Sequence, residues 1–123
     1  MSEEYFYHYT SFRGAKDIFL SGEILPSLRA NGDAIHGDGV YLTTLDPKLG
    51  KYTVGRNNWD GVARNQDDKM ECYFEILMPS TMVRRARERR DIQVHDGVLV
   101  LANYKWSLKN WEGDLLATQH YMV

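Results

Sequence analysis

His8, Tyr41, Tyr52 and Asp96 are the residues whose types and spacing suit chemistry. His8 stands in His8-Tyr9-Thr10 at the end of the first apolar run. Tyr41 ends Gly39-Val40-Tyr41 within a Gly-Asp-Gly-Val-Tyr-Leu stretch, and Tyr52 lies eleven residues further on. A polar ring beside two aromatic rings, brought forward on short strands, suits gripping a flat ligand with a sugar attached. Aromatic faces sandwich a planar ring, and a histidine beside the sugar orients a hydroxyl. Asp96, in IQVHDGVLVLANY, offers a carboxylate, which helps most where positive charge develops as a bond breaks. The same group can polarise an acceptor or water.

Each residue has a plainer reading beside this one. His8 also fits a satisfied strand histidine, and Tyr41 a half-buried sheet aromatic, since tyrosine favours strands. Asp96-Gly97 between β-type residues is among the best hairpin-turn signals; an acid at a strand end next to glycine can serve as both turn and acid. Asp91 and Glu75 are the fallback carboxylates. His95 reads as a neighbouring surface residue, and His36, in a Gly-rich loop, as facing water.

The elements that must position these groups follow from local patterns. Tyr5 to Tyr9 reads as an opening strand. Ser11 caps a helix through about Leu20, with Ala15, Ile18 and Phe19 on one face and Gly22 as its stop. Glu23 to Leu28 reads as a strand interrupted by Pro26, and Ala30 to Gly39 as a loop. Val40 to Thr44 is a strand, after which Asp46-Pro47 starts a short helix toward Tyr52. Thr53 to Lys69 is polar and poorly periodic, which predicts a long functional loop. Met70 to Met78 is the strongest strand in the chain, ended by Pro79; Ser80 to Arg90 is basic. Asp91 to Ala102 is strand material. The tail from Asn103 is mixed, with Trp106, Trp111 and Tyr121 available for packing. Many short strands with few helices give an α+β fold, predominantly β.

A chain of 123 residues fits a single domain, 1–123. The formal net charge of −2 exerts no global pull on nucleic acid. The lone cysteine, Cys72, excludes an internal disulfide and leans toward a reducing compartment. The start of the chain lacks a basic region followed by an apolar stretch, so no signal peptide is expected, and no apolar run reaches membrane-spanning length. A cytoplasmic protein, or one delivered into the cytoplasm of a target cell, is the expectation. Arg84, Arg85, Arg87, Arg89 and Arg90 make the one strong charge cluster. It is either a solvated helix face or a docking surface for nucleic acid or acidic protein. No GxGxxG joins a strand to a helix, which excludes a Rossmann site. The four histidines and Cys72 lack metal-ligand spacing, and no Gly-x-Ser-x-Gly or paired Cys-His supports a nucleophilic hydrolase.

In order and spacing, His8-Tyr9-Thr10, Gly39-Val40-Tyr41, Tyr52 and Asp96 resemble the ADP-ribosyltransferase superfamily, on its diphtheria-toxin and poly(ADP-ribose) polymerase branch. The aspartate in place of glutamate is similar to the toxin-associated group with a His-Tyr-Asp signature. The resemblance spans about residues 5 to 104, with MECYFEILMP as the apolar strand before the acidic one. It implies split antiparallel β-sheets with short flanking helices, and NAD as cosubstrate without a metal. It also implies His8, Tyr41 and Asp96 as catalytic residues. The NAD contacts implied are His8, Tyr9, Thr10, Ser11, Gly39, Tyr41 and Tyr52, with Arg13 a candidate for a phosphate or adenosine-ribose contact by position. The expected activity is transfer of ADP-ribose to an unidentified protein or nucleic-acid acceptor with release of nicotinamide. An NAD glycohydrolase and a non-catalytic NAD or ADP-ribose reader are the alternatives, and Asp96 separates the reader from the enzymes.

Overall fold

A computed structural model of the chain describes residues 2–28, 37–59, 70–86, 91–118 and 121–122. The fold is α+β and mostly β, with antiparallel sheets and few short helices. Strand β1 spans Glu3–Thr10. Its side chains alternate between two faces, as the pleat requires, and both faces become apolar toward its end: Phe6 enters one cluster, Tyr7 and Tyr9 another. Helix α1 covers Phe12–Ser21. Ser11 is its N-cap, accepting from the Gly14 amide, and Gly22 closes it in the left-handed conformation with φ 75°.

Short elements follow. Strand β2 is Glu23–Ile24, and beyond it Ser27 bridges Gly39 through paired backbone bonds of 2.8 and 3.0 Å. Strand β3 is Val40–Leu42, and the next residue, Thr43, bridges Tyr7 of β1. A 3-10 turn over Pro47–Leu49, capped by the Asp46 carboxylate on the Lys48 amide, leads into helix α2, Lys51–Trp59. The expected loop from Thr53 to Lys69 is therefore helical in its first part, and residues 60–69 lie outside the described ones.

Strand β4, Cys72–Pro79, is the most buried strand, as its apolar sequence requires. Met70, expected to open it, precedes it and is buried. A further 3-10 turn over Ser80–Met82 leads to β5, Arg84–Arg85; β6 is Gln93–His95 and β7 is Leu99–Val100. The mixed tail resolves into β8, Lys105–Asn110, β9, Leu115–Thr118, and β10, Tyr121–Met122.

The strands form a five-stranded sheet in the order β1-β4-β8-β9-β10, a three-stranded sheet β3-β6-β5 and a pair β2-β7. β1 runs antiparallel to β4 in register, with His8 opposite Phe74 and Tyr7 opposite Glu75. The main core gathers Phe6, Phe74, Ile76, Met78 and Trp106 with Val40 and Leu42 of the smaller sheet. A second cluster, Tyr7, Tyr9, Val54, Met70 and Tyr73, covers the reverse face of β1 and β4. The Tyr7–Thr43 bridge is where the five-stranded and three-stranded sheets touch, with backbone bonds of 2.8 and 3.0 Å. No helix among the described residues is long and apolar enough to cross a membrane.

Candidate functional site at the junction of two sheets

The bridge between Tyr7 and Thr43 brings the end of β1 against β3, and His8 follows the bridge residue. Its Nδ1 lies 3.0 Å from the Tyr41 carbonyl oxygen, across 33 positions of sequence. A carbonyl only accepts, so Nδ1 carries the proton and Nε2 is left as an acceptor. Burial lowers the His8 pKa below its ordinary 6.5, opposed in part by the bond to Tyr41. The residue as a whole is half-buried, and no carboxylate contributes to that shift. The site thus presents a neutral imidazole with an acceptor nitrogen, suited to a hydroxyl.

Tyr41 is fixed at both ends. Its backbone takes the His8 bond, and its hydroxyl donates to the Gly37 carbonyl at 2.9 Å. The ring leaves β3 on the side away from Val40 and Leu42 and packs against Ala86, Ile92 and Val94. His8 leaves β1 on the Phe6 side, toward the main core, because residues two apart share a face. The link between His8 and Tyr41 is therefore ring to backbone, not ring to ring.

Gly39 sits where the backbone comes closest. With φ 150°, a Cβ there would stand 2.8 Å from the His95 carbonyl and 2.4 Å from Val94 Cγ1. This accounts for the glycine before Val40-Tyr41 by packing alone. Tyr52 lies on α2 and is 72% exposed. A polar clamp holds that helix: Asn57 Nδ2 donates to the Asp91 carbonyl at 2.7 Å and to Thr43 Oγ1 at 3.3 Å. The Asp91 amide donates back to Asn57 Oδ1 at 2.6 Å. The Asp91 carboxylate accepts from the Thr44 amide at 3.3 Å, from the Thr44 hydroxyl and from Gln93 Nε2 at 3.2 Å. Asp91 thus ties α2, which carries Tyr52, to the end of β3, which carries Tyr41.

The other expected residues are placed as follows. Tyr9 is turned to the reverse face, where it is buried and stacks on Trp111 with centroids 5.3 Å apart. Its hydroxyl donates to the Leu45 carbonyl at 3.2 Å. Strand alternation thus sends Tyr9, expected as an NAD contact, to the opposite side from His8. Thr10 ends β1 close to Gly14, where a Cβ would meet its Oγ1 at 2.4 Å. Ser11 is engaged as the cap of α1, and Arg13 is exposed in the first turn of that helix.

Asp96 lies in the turn between β6 and β7, followed by Gly97 at φ 71°. Its side chain is 81% exposed and pairs with Arg84 Nε at 3.4 Å. The turn reading is thus the one seen in the geometry. The turn begins one residue beyond the Val40–His95 pair, at the Gly39 end of β3; Val94 is the register partner of both Tyr41 and Arg84, so those three share one face. Arg84 also reaches Gly37, whose carbonyl holds the Tyr41 hydroxyl. Arg84 and Arg85 are exposed on β5, while residues 87–90 of the arginine cluster lie outside the described ones, as does His36.

Of the fallback carboxylates, Asp91 serves the clamp, and Glu75 shares the reverse face with Tyr7. His95, expected at the surface, is buried opposite Val40, and its Nδ1 has no hydrogen-bond partner among the described residues. Alternation in QVH sets it on the face opposite Val94, and burial there comes from Val40 across the ladder, which the sequence pattern does not reveal. Cys72 is buried, and burial followed by the charge of Glu71 pushes its thiol up to about 12. It stays protonated and is no nucleophile at neutral pH. Among the described residues no group of three or more His, Cys, Asp or Glu is arranged to hold a metal. Comparison of the chain with protein-family models, with curated proteins and with solved structures gives no match.

Proposed function

We propose that this chain is an NAD-dependent mono-ADP-ribosyltransferase that transfers ADP-ribose to a macromolecular acceptor and releases nicotinamide. The observation that carries the reading is the His8–Tyr41 bond: it joins two of the residues on which the superfamily resemblance rests, and it leaves Nε2 as an acceptor for a ribose hydroxyl. In this reading His8 orients the nicotinamide ribose, and Tyr41 and Tyr52 hold the nicotinamide ring. In the same reading Asp96 faces the positive charge that develops as the glycosidic bond breaks. An acceptor nucleophile then takes the ribose carbon, and nicotinamide leaves with the bonding pair.

The second reading is a non-catalytic NAD or ADP-ribose reader, favoured by the exposure of Asp96 and its pairing with Arg84. Thermal-shift titration with NAD, followed by mass spectrometry for free nicotinamide, separates the two. The transferase releases nicotinamide, and Asp96→Asn lowers its turnover by roughly 10²–10⁴-fold, as loss of a charge-stabilising or general-base group does, with NAD affinity kept. Binding without release establishes the reader. No NAD-induced shift rejects both.

A further inference from the structure

The reverse face of β1, opposite His8, carries a cleft of about 520 Å³, inside the range of ligand sites. Its aromatic side is Tyr5, Tyr7, Tyr73 and Trp111, and its rim carries the carboxylates of Asp46, Glu75 and Glu112. Tyr73 meets both Tyr7 and Trp111 edge to face, with centroids 5.9 Å apart in each case. Trp111 is pinned by its indole N–H on the Met70 carbonyl. The aromatic wall is therefore a set of interlocked rings and not loose side chains.

The charge of the cleft is uneven. Lys109 Nζ lies 3.5 Å from Glu75 Oε2 and offsets it in part, and Lys48 adds a second positive group. Against these stand three carboxylates. Burial pushes the Tyr7 hydroxyl up to about 12, with the charges of Glu75 and Asp46 next in importance. Tyr73 is raised by the same causes in the same order. Two carboxylates from distant segments thus bear on the same phenols. Such a cleft repels anions, NAD phosphates included. It favours a cation with a flat face for the rings and N–H groups for the carboxylates.

We infer that this cleft binds a guanidinium group, that is, an arginine side chain of a partner protein or peptide. Guanidinium stacks on aromatic faces and forks on to carboxylates; a lysine ammonium does the second only as a point charge. The site lies on the opposite side of β1 from His8, so it stands or falls independently of the NAD reading.

The test is an amide-shift titration of the ¹⁵N-labelled protein, without NAD, using N-acetyl-arginine methylamide. Its citrulline and lysine counterparts are the comparisons. Expected are saturable shifts at Tyr7, Tyr73 and Gly113, with citrulline weaker by about tenfold or more because it is neutral. Glu112→Gln, on the exposed turn between β8 and β9, and Glu75→Gln should each weaken arginine binding severalfold. Citrulline or lysine binding as tightly as arginine overturns the inference. So do arginine binding unchanged in both variants and absence of saturable shifts at these residues.

Discussion

A histidine whose Nδ1 donates to a main-chain carbonyl has one tautomer and one free lone pair, and both matter for His8. Its pKa lies below 6.5 in the folded chain and returns to about 6.5 on unfolding. The unfolded state therefore takes up the proton first as pH falls. Stability from neutral His8 is fully present above about pH 6.5 and is lost as pH falls through that value toward the folded pKa. Urea unfolding at pH 7.5 and at pH 5.5 should show this loss, and His8→Gln should flatten the difference. Tyr41 separates ring from hydroxyl. Tyr41→Ala should weaken NAD binding by about 1–3 kcal/mol, the range for losing a stacking contact. Tyr41→Phe should keep most of that affinity and cost about 0.5–1.5 kcal/mol of stability through the lost Gly37 bond; isothermal titration and urea melts check the two. At this scale the sequence was informative about type and blind to direction. His8 and Tyr41 were legible as a pair, but the ring-to-backbone form of their bond depends on a bridge that no spacing announces. Asp96-Gly97 carried its turn signal openly. His95 was misplaced because side-chain direction depends on where a strand's alternation begins.

Between residues and fold, the decisive element is α2. Its sequence, KYTVGRNNW, has a glycine, two asparagines and little apolar periodicity, so propensity alone does not predict a helix. What holds it is Val54, fully buried in the second cluster, together with Asn57, which reaches Thr43 and Asp91 with both ends of its amide. Asn57→Ala should leave the Asp91 backbone groups without their partner and cost about 1–3 kcal/mol. If Tyr52 serves NAD, the same variant should weaken NAD binding although Asn57 touches no ligand; paired urea and NAD titrations check this. Gly39→Ala should be worse, because its Cβ would run into the backbone of His95. A loss above about 2 kcal/mol is expected from steric strain of this kind, read as a lower melting temperature. The well-patterned elements, β1, α1 with its Ser11 and Gly22 caps, and β4, were legible in advance. The tail was not: in KWSLKN only Trp106 and Leu108 face inward, and charged neighbours dilute the pattern.

For the whole molecule, the Tyr7–Thr43 bridge joins the five-stranded and three-stranded sheets, which share the main core. Phe74 lies in that core, opposite His8, and is wholly buried. Phe74→Ala should cost about 3–5 kcal/mol, as large-to-small changes in a tight core do, a loss that urea melts would register across the whole chain. The arrangement of β4 has a further consequence, for the order in which the molecule comes into being. This strand pairs with β1 on one side and with β8 on the other. Its partners stand near opposite ends of the chain, so neither edge can be covered by a local hairpin. On a ribosome, β1 must wait for residue 79 to emerge, and β4 for residue 110, before their ladders can close. Until then the most apolar strand of the protein has a bare edge, open to pairing with another chain. Refolding should accordingly fall in the millisecond-to-second range of non-local β topologies, and its yield should drop as protein concentration rises.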